Sequence, residues 1–243
     1  MDVTEYYDDR PNNAHIWYES DVPGFQRIEQ SKLPSGVTIG YTFKGMVANP
    51  NQLLPWLMEE LKSRGVSFIH KTVSSFNEVR ALTGAEMVIN ASGLGARDLA
   101  SDENVQGVRG QTLFVKTPNL DKTIIRQGSQ YTYVIPRPSD GGVILGGVTQ
   151  SGNFSSDPDP AVREDVLRRI NIMTGNAFPN VRGSGQFVQD FVGFRPSRKG
   201  GIRLERQGNV VHAYGLGSFG YLYAFGVAQE ILNLVDGTPK SKL

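Results

Sequence analysis

The spacing of apolar and polar residues predicts a chain that mixes strands with helices. After a strand-like segment at 37–48, apolar residues three and four positions apart predict a helix between Asn49 and Gly65, with an apolar face formed by Leu53, Leu54, Leu57 and Leu61. Pro55 lies inside this pattern, so we expect the helix to begin late or to be kinked. The apolar run at 66–70 predicts a short buried strand, which completes the strand, helix, strand order of an α/β unit.

Segments rich in β-branched and aromatic residues follow, and they predict a block of antiparallel strands. The predicted strands are 111–116, 131–138, 143–149 and 186–197, with a hairpin turn at 139–142. A further hairpin is predicted over 201–215, with its turn at Gln207-Gly208-Asn209. A second helix is predicted from Pro160, because Asp159 suits the N-cap and proline suits the first helical position. The first 15 residues or so show no clear pattern, and we expect them to be irregular.

A glycine-rich corner joins a strand and a helix near the end of the sequence. The apolar strand Val210–Tyr214 runs into the corner Gly215–Gly220, and a helix is predicted over about Phe219–Val235. A helix start carries about half a positive charge and unpaired backbone N–H groups, so it can hold a phosphate, a carboxylate or a polarised carbonyl. A second turn, Gly93-Leu94-Gly95, follows the predicted strand in "AEMVINAS" and is an incomplete dinucleotide fingerprint. The alternation predicts a nucleotide-type layer covered by an antiparallel sheet.

Composition limits the chemistry that side chains alone could perform. The 243 residues carry a net charge of +1, which provides no broad attraction for nucleic acid or for an anionic membrane. There is no cysteine, and the three histidines lack zinc-site spacing, so no thiol nucleophile or metal centre is predicted. No apolar run approaches the roughly 20 residues of a membrane span. We therefore expect a bound cofactor to perform the difficult step.

Several stretches together resemble the D-amino acid oxidase family, in its fungal form. The glycine corner carries the most specific match, and the other matching stretches occur in the family's order: "MVINASGLGARDLA", "YVIPRP", "GFRPSRKGGIRLER" and "VVHAYGLGSFGYLYAFGVA". The resemblance runs from about Trp17 to the end. It implies a mixed α/β fold in one region, 1–243. A partial FAD-binding Rossmann-like layer, at about 50–110 and 205–237, would be interleaved with an antiparallel substrate-binding sheet at about 15–48 and 111–204.

The resemblance also implies an activity, which is FAD-dependent oxidation of D-amino acids to imino acids with O2 reduced to hydrogen peroxide. No side chain is expected to act as acid or base, because orientation of the substrate is the main requirement. A bidentate arginine suits the substrate carboxylate. Arg203 matches the family's carboxylate-binding arginine, whereas Arg195 matches a structural position.

Two further residues match substrate contacts of the family. Tyr133 matches a tyrosine whose hydroxyl touches the same carboxylate, and the backbone carbonyl of Ser218 would receive the substrate amine. We expect Arg203 and Tyr133 to point into one cavity beside Ser218, and Tyr131 to point away from it. The residues implied in cofactor binding are Ser92, Gly93, Gly95, Gly217, Ser218, Phe219, Gly220, Tyr221 and Leu222.

The sequence departs from the family pattern at its beginning. The family starts with a strand, a G-x-G-x-x-G turn, a helix and an acidic residue that binds the adenosine ribose. No such unit occurs in this sequence. We therefore expect an N-terminally shortened copy that binds FAD weakly, needs a partner for stability and leaves the "VIN" strand near a sheet edge.

A second active-site tyrosine of the family also has no counterpart, since Ser129 occupies one of its positions and Val148 or Thr149 the other. Two alternative functions therefore stay open. One is a D-aspartate-type oxidase, for which Arg126 or Arg137 would supply an additional cation beside the substrate side chain. The other belongs to a different class, a catalytically silent remnant that binds or regulates a full-length oxidase.

The last three residues, Ser241-Lys242-Leu243, form the peroxisomal address tripeptide. They predict peroxisomal localisation and an import receptor as a partner. The other expected partners are a D-amino acid, O2 and a second copy in a homodimer. Binding to nucleic acid or to a membrane is not expected.

Overall fold

The computed structural model describes residues 1–117, 120–179, 181 and 187–237. Two compact units are present. The first unit comprises Met1–Leu53, Gly110–Gln150 and Ser155–Gly193, and the second unit comprises Leu54–Arg109, Ser151–Phe154 and Phe194–Leu243. Each unit is therefore assembled from separate stretches of the chain.

The described structure contains twelve strands and five α-helices. The strands are β1 (Asp2–Tyr7), β2 (Gln26–Arg27), β3 (Ile39–Lys44), β4 (Val88–Asn90), β5 (Val105–Lys116), β6 (Thr123–Gln127), β7 (Thr132–Arg137), β8 (Gly142–Gly146), β9 (Gln150–Ser151), β10 (Phe187–Arg198), β11 (Arg203–Gln207) and β12 (Val210–Tyr214). The helices are α1 (Pro50–Ser63), α2 (Phe76–Thr83), α3 (Ala96–Leu99), α4 (Pro160–Thr174) and α5 (Gly220–Asp236).

The first unit is built on a mixed sheet with strand order β10-β5-β8-β7-β6-β1-β3-β2, and β9 pairs with β5. Most pairs are antiparallel, but β1 and β6 run parallel. Alternate residues of β7 are buried, and α4 packs over this buried face. The main core lies here and includes Leu113, Val115, Val134, Val143, Leu145, Val166 and Ile170.

Helix α4 begins and ends where its sequence signals place it. The Asp159 side chain accepts a hydrogen bond from the Ala161 backbone N–H at 2.8 Å, and Pro160 occupies the first turn. Gly175 follows with φ of 65°, the left-handed conformation common at helix ends. The predicted helix is confirmed.

The second unit is built on a three-stranded sheet in the order β11-β12-β4. Strands β11 and β12 form an antiparallel hairpin in which Arg203 faces Tyr214. Strand β12 runs parallel to β4, with His212 beside Asn90. β4, the "VIN" strand, lies at the end of this order, as expected, and Ile89 is 49% exposed.

Two sequence predictions about elements are wrong, and for helix α1 one of two alternatives is wrong while the kink at Pro55 stays a prediction. The N-terminal segment is not irregular, since β1 pairs with β3 and β6. One of the buried positions of β1 is the polar residue Glu5, so the alternation of apolar and polar residues typical of a strand is not visible in the sequence. The run at 66–70 forms no strand in the described structure, where Phe68 is 51% exposed. Helix α1 begins at Pro50 and contains Pro55, so it does not begin late; an exposed proline near the first turn removes one helical hydrogen bond without ending the helix.

None of the helices in the described part of the chain is both long and apolar enough to traverse a bilayer. Within the same residues, no cluster of three histidine, aspartate or glutamate side chains could hold a metal ion.

Candidate functional site

Two glycine turns meet at one edge of the second unit's sheet. The turn Gly93–Gly95 follows β4, and the turn Gly217–Phe219 follows β12. Because β4 and β12 are parallel, their carboxyl ends lie at the same edge. Ligands of open α/β sheets bind at this kind of edge. The structure therefore brings together both groups of residues implied in cofactor binding.

The end of β10 packs against both turns, and Gly93 and Gly217 have positive φ of +60° and +59°, which favours glycine. A Cβ at position 93 would lie 3.5 Å from Cβ of Pro196, and one at position 217 would lie 3.1 Å from the Ser197 hydroxyl oxygen. Gly215 has φ of +85°, and a Cβ there would lie 2.7 Å from Cβ of Arg198. A side chain at position 215 would meet both backbone strain and a clash, so this corner requires glycine.

The start of helix α5 is open. Phe219 precedes the first helical residue and makes no side-chain cap to the helix. Ser218, Tyr221 and Leu222 are exposed. A helix of 17 residues presents the positive end of its dipole and its first backbone donors at this point. The geometry suits a ligand whose edge is anionic or polarised.

Side-chain hydrogen bonds fix the turn that follows β4. Ser92 donates its hydroxyl to Oδ1 of Asn90 at 2.6 Å, and the Asn90 amide lies 3.3 Å from Nδ1 of His212. Burial, with the charge of Arg203, lowers the pKa of His212, so its ring is neutral at neutral pH. Helix α3 has only four residues, so this turn offers a ligand less electrostatic attraction than the start of α5 does.

Arg203 lies at the same edge, because β11 is antiparallel to β12 and Arg203 faces its last residue. Nη1 of Arg203 donates to the Tyr214 hydroxyl at 2.8 Å. Nε donates to Oε1 of Glu205 at 2.6 Å, and Nη2 donates to Oε1 of Gln207 at 3.1 Å. The guanidinium of Arg203 thus contacts Tyr214 of β12 on one side and Glu205 and Gln207 of its own strand on the other.

Asp102 supports Arg203 through Tyr214, whose hydroxyl contacts both residues. The Tyr214 hydroxyl donates to Oδ2 of Asp102 at 2.9 Å, and Nε of Arg198 donates to the same oxygen at 2.8 Å. The Arg198 hydrogen bond, with those of Tyr214 and the Asn104 backbone, holds the pKa of Asp102 at about 2. Asp102 is 6% exposed, so this is a buried and fully paired charge.

Tyr133 belongs to the first unit, on the half-exposed face of β7. A Cβ at position 146 would lie 2.3 Å from Cζ of Tyr133, so Gly146 makes room for the ring. The Tyr131 ring lies 5.5 Å from that of Tyr133, centroid to centroid. The expectation that Tyr131 points away is wrong, because side chains two positions apart along an extended chain lie on the same face. A cavity shared by Tyr133, Arg203 and Ser218 stays a prediction.

The two candidate extra cations have different environments. Arg126 forms an ion pair with Asp8, with Nη2 to Oδ2 at 2.9 Å, and the Ser129 hydroxyl also donates to Asp8. Burial raises the pKa of Asp8, but hydrogen bonds from Ser129 and Arg126 outweigh it and keep that pKa below its ordinary value. Arg137 donates to Oδ1 of Asn49 at 2.6 Å and lies on the Tyr133 face of β7.

Sequence reasoning found Arg203 but missed the residues around it. Glu205 and Gln207 could have been found, since they alternate with Arg203 along a predicted strand and must share its face. Asp102 carried no usable signal, because it reaches Tyr214 only through a contact 112 positions away in sequence.

Comparison with known proteins places the chain in a family. The family model for FAD-dependent oxidoreductases (DAO) matches residues 11–234. The chain is 36% identical over 221 residues to a D-amino-acid oxidase from Rubrobacter xylanophilus, covering 88% of this chain and 65% of that protein. It is 33% identical over 254 residues to a D-amino-acid oxidase from Schizosaccharomyces pombe, covering 100% and 72%. A D-aspartate oxidase from Talaromyces thermophilus is 30% identical over 257 residues, covering 100% and 68%.

A solved structure shares the fold. Glycine oxidase from Geobacillus kaustophilus superimposes with a TM-score of 0.73 at 16% identity, over 99% of this chain and 72% of that one. The predicted mixed α/β class is confirmed by this match. The chain spans about two thirds of the length of the relatives it matches, 65% for the Rubrobacter protein. On the family match over most of its length, the chain belongs to the DAO family of FAD-dependent oxidoreductases, as its sequence motifs predicted.

Proposed function

We propose that this chain takes part in oxidising D-amino acids to imino acids, with FAD as the electron acceptor and O2 reduced to hydrogen peroxide. One observation carries the proposal. The uncapped start of α5, the turn after β4 and the anchored guanidinium of Arg203 occur at one edge of the second unit's sheet. This edge combines a place for a polarised ring with a cation for a carboxylate. Relatives named D-amino-acid oxidase support the same activity.

The residues present fit FAD, the cofactor of the family. Gly215 and Gly217 allow close approach to the backbone at the corner, and the start of α5 has no side-chain cap that would compete for its donors. Gly217–Leu222 would hold the polarised edge of the flavin, and Ser92, Gly93 and Gly95 would lie beside it. When bound, FAD supplies the acceptor for the hydride that leaves the substrate Cα.

The side chains of the chain itself orient the substrate. Arg203 binds the carboxylate in a bidentate manner. The backbone carbonyl of Ser218 accepts a hydrogen bond from the amine. His212 is buried and neutral and so is not assigned a role in proton transfer. The contribution of the protein is therefore positioning and electrostatic stabilisation at the start of α5.

The test measures flavin binding and turnover together. Because weak FAD binding is expected, the purified chain is measured in buffer with excess FAD, where it should quench flavin fluorescence and release hydrogen peroxide from D-alanine. Arg203→Met should lower kcat/KM at least about 100-fold, because two charge-assisted hydrogen bonds are lost. Arg64→Met, at an exposed position of the same unit, is the control and should leave kcat/KM within about twofold. A folded chain that neither quenches flavin fluorescence nor releases hydrogen peroxide in excess FAD would favour the silent binding partner instead.

A D-aspartate-type activity is the second candidate. It is supported by the similarity to a D-aspartate oxidase and by Arg137, which shares the face of β7 with Tyr133. Arg126 is less suited, because its charge is balanced by Asp8. If the acidic preference is correct, Arg137→Gln should reduce the rate on D-aspartate far more than the rate on D-alanine. Equal losses on both substrates would argue against it.

We also propose import into peroxisomes through Ser241-Lys242-Leu243, which lie outside the described residues. An oxidase that makes hydrogen peroxide suits a compartment that removes it. A fluorescent protein fused upstream should collect in peroxisomes, and deletion of Leu243 should leave it in the cytosol. A homodimer is a further proposal, which sedimentation velocity of the purified chain would test.

A further inference from the structure

The carboxylate-binding edge of Arg203 is occupied by oxygen atoms of the same strand. Nε and Nη2 form the side-on edge of a guanidinium, which binds a carboxylate with two parallel hydrogen bonds. In this structure Oε1 of Glu205 lies 2.6 Å from Nε, and Oε1 of Gln207 lies 3.1 Å from Nη2. Strand alternation places all three side chains on one face of β11. The arrangement reproduces what an incoming carboxylate would offer.

The opposite side of the guanidinium is held much more firmly. Nη1 donates to the Tyr214 hydroxyl, which in turn donates to Asp102. Tyr214 is 2% exposed and Asp102 is 6% exposed, so this anchor is buried. The side chain of Glu205 is 57% exposed. Exposed ion pairs contribute little to stability, whereas buried paired charges are costly to separate.

We propose that Glu205 occupies the Nε and Nη2 edge of Arg203, here called the Arg203 clamp, until a substrate carboxylate replaces it. Tyr214 and Asp102 keep the guanidinium in place throughout. This rests on the proposed function in that the ligand is a carboxylate. Glu205 then competes equally with every carboxylate ligand and takes no part in hydride transfer. Its removal lowers KM and leaves kcat unchanged, which a merely structural residue would not do.

The experiment measures binding of propionate, the deaminated analogue of alanine, by NMR line broadening with the full chain. Replacing Glu205 with threonine keeps strand propensity and removes the competing carboxylate. Glu205→Thr should tighten propionate binding about threefold, the size expected for loss of an exposed ion pair. Glu205→Gln should give a smaller gain, because a neutral amide is a weaker acceptor. Arg203→Met should abolish binding.

Glu59→Gln is the matched control, since Glu59 is an exposed glutamate of the same unit that pairs with Lys62. It should leave propionate binding unchanged. Unchanged or weaker binding in Glu205→Thr would overturn the proposal, and so would the absence of binding in both wild type and Glu205→Thr. Thermal unfolding midpoints would show that each variant is folded.

The binding experiment needs neither FAD nor turnover, so it separates the two proposals. Tighter propionate binding in a chain that oxidises no D-amino acid would support the clamp and contradict the proposed function. Oxidation of D-alanine with an unchanged KM in Glu205→Thr would support the proposed function and contradict the clamp.

Discussion

At the scale of single residues, Asp102 is the buried charge on which the Arg203 anchor depends. Hydrogen bonds from Arg198 and Tyr214 hold its pKa at about 2, below the ordinary 3.8. A depressed pKa means that the folded state binds the proton less readily than the unfolded state. The stability that Asp102 contributes is therefore present above about pH 4 and is lost as the pH falls toward 2.

Asp102→Asn should lower the free energy of unfolding by about 3 kcal/mol at neutral pH, because it leaves Arg198 without its buried anionic partner. The difference between wild type and variant should shrink as the pH falls from about 4 to 2. Urea denaturation over a pH series measures both effects. Asp98→Asn, at an exposed position of α3, should cost less than about 0.5 kcal/mol at neutral pH. A constant difference at every pH would refute this role of Asp102.

Local motifs were enough to make Arg203 and Ser218 candidates, because each lies in a short stretch with a specific sequence, and their roles stay predictions. The anchor of Arg203 could not be found in this way. Asp102 and Tyr214 meet only after β12 has aligned in the sheet, and no local pattern encodes that contact. The motif around Tyr133 made that residue a candidate, whose role stays a prediction, but its neighbour Tyr131 was assigned to the wrong face.

At the scale of elements, the cap of α4 is a separable contribution to stability. The Asp159 carboxylate accepts from the Ala161 N–H, while the backbone of Asp159 bonds independently to the Gln111 side chain at 2.8 and 2.9 Å. Asp159→Ala removes only the first of these contacts. It should lower the free energy of unfolding by about 1 kcal/mol, and Asp159→Asn should cost much less. Chemical denaturation of both variants tests this, and equal losses would show that capping is not the cause.

The corner after β12 depends on glycine for two reasons that can be separated. Gly208 and Gly215 both have positive φ, +58° and +85°, but only at Gly215 would a Cβ meet another atom closely. Gly208→Ala should cost about 1 kcal/mol from backbone strain alone. Gly215→Ala should cost about 1–3 kcal/mol more, because Cβ of Arg198 is fixed to the backbone and the end of β10 must shift. Unfolding midpoints of the two variants measure the difference, and equal costs would contradict the packing argument.

The elements themselves were predictable where a cap or a turn residue marks them. Helix α4 and the hairpin β11–β12 carry such marks. The segment 66–70 was wrongly assigned to a strand, because its apolar composition was taken as burial, yet Ile69 is 57% exposed. Strand formation depends on a neighbouring strand, which composition does not report.

At the scale of the whole molecule, the second unit exposes large apolar side chains. Leu222 and Phe225 of α5 are 73% and 71% exposed, and Trp56 of α1 is 60% exposed. Apolar surface of this extent favours association in solution. The double variant Leu222→Gln, Phe225→Gln should reduce self-association in sedimentation velocity and reduce binding of a hydrophobic dye.

The same double variant should keep its unfolding midpoint, since neither side chain is buried. Ile170→Gln on α4 is the contrasting control. Ile170 is fully buried, so that change should cost about 3 kcal/mol or more. A large loss of stability in the double variant would mean that these side chains are covered in solution.

The parallel pairing of β4 with β12 also has a consequence for the timing of synthesis. Asn90 and His212, which lie side by side in the sheet, are 122 positions apart in the sequence. At ribosomal rates of about 5–20 residues per second, β4 waits roughly 6 to 24 s for that partner. During this interval its hydrogen-bonding edges are open to other chains. We therefore expect the yield of folded protein to depend on chaperones that bind nascent chains, and to fall when translation of residues 91–209 is slowed.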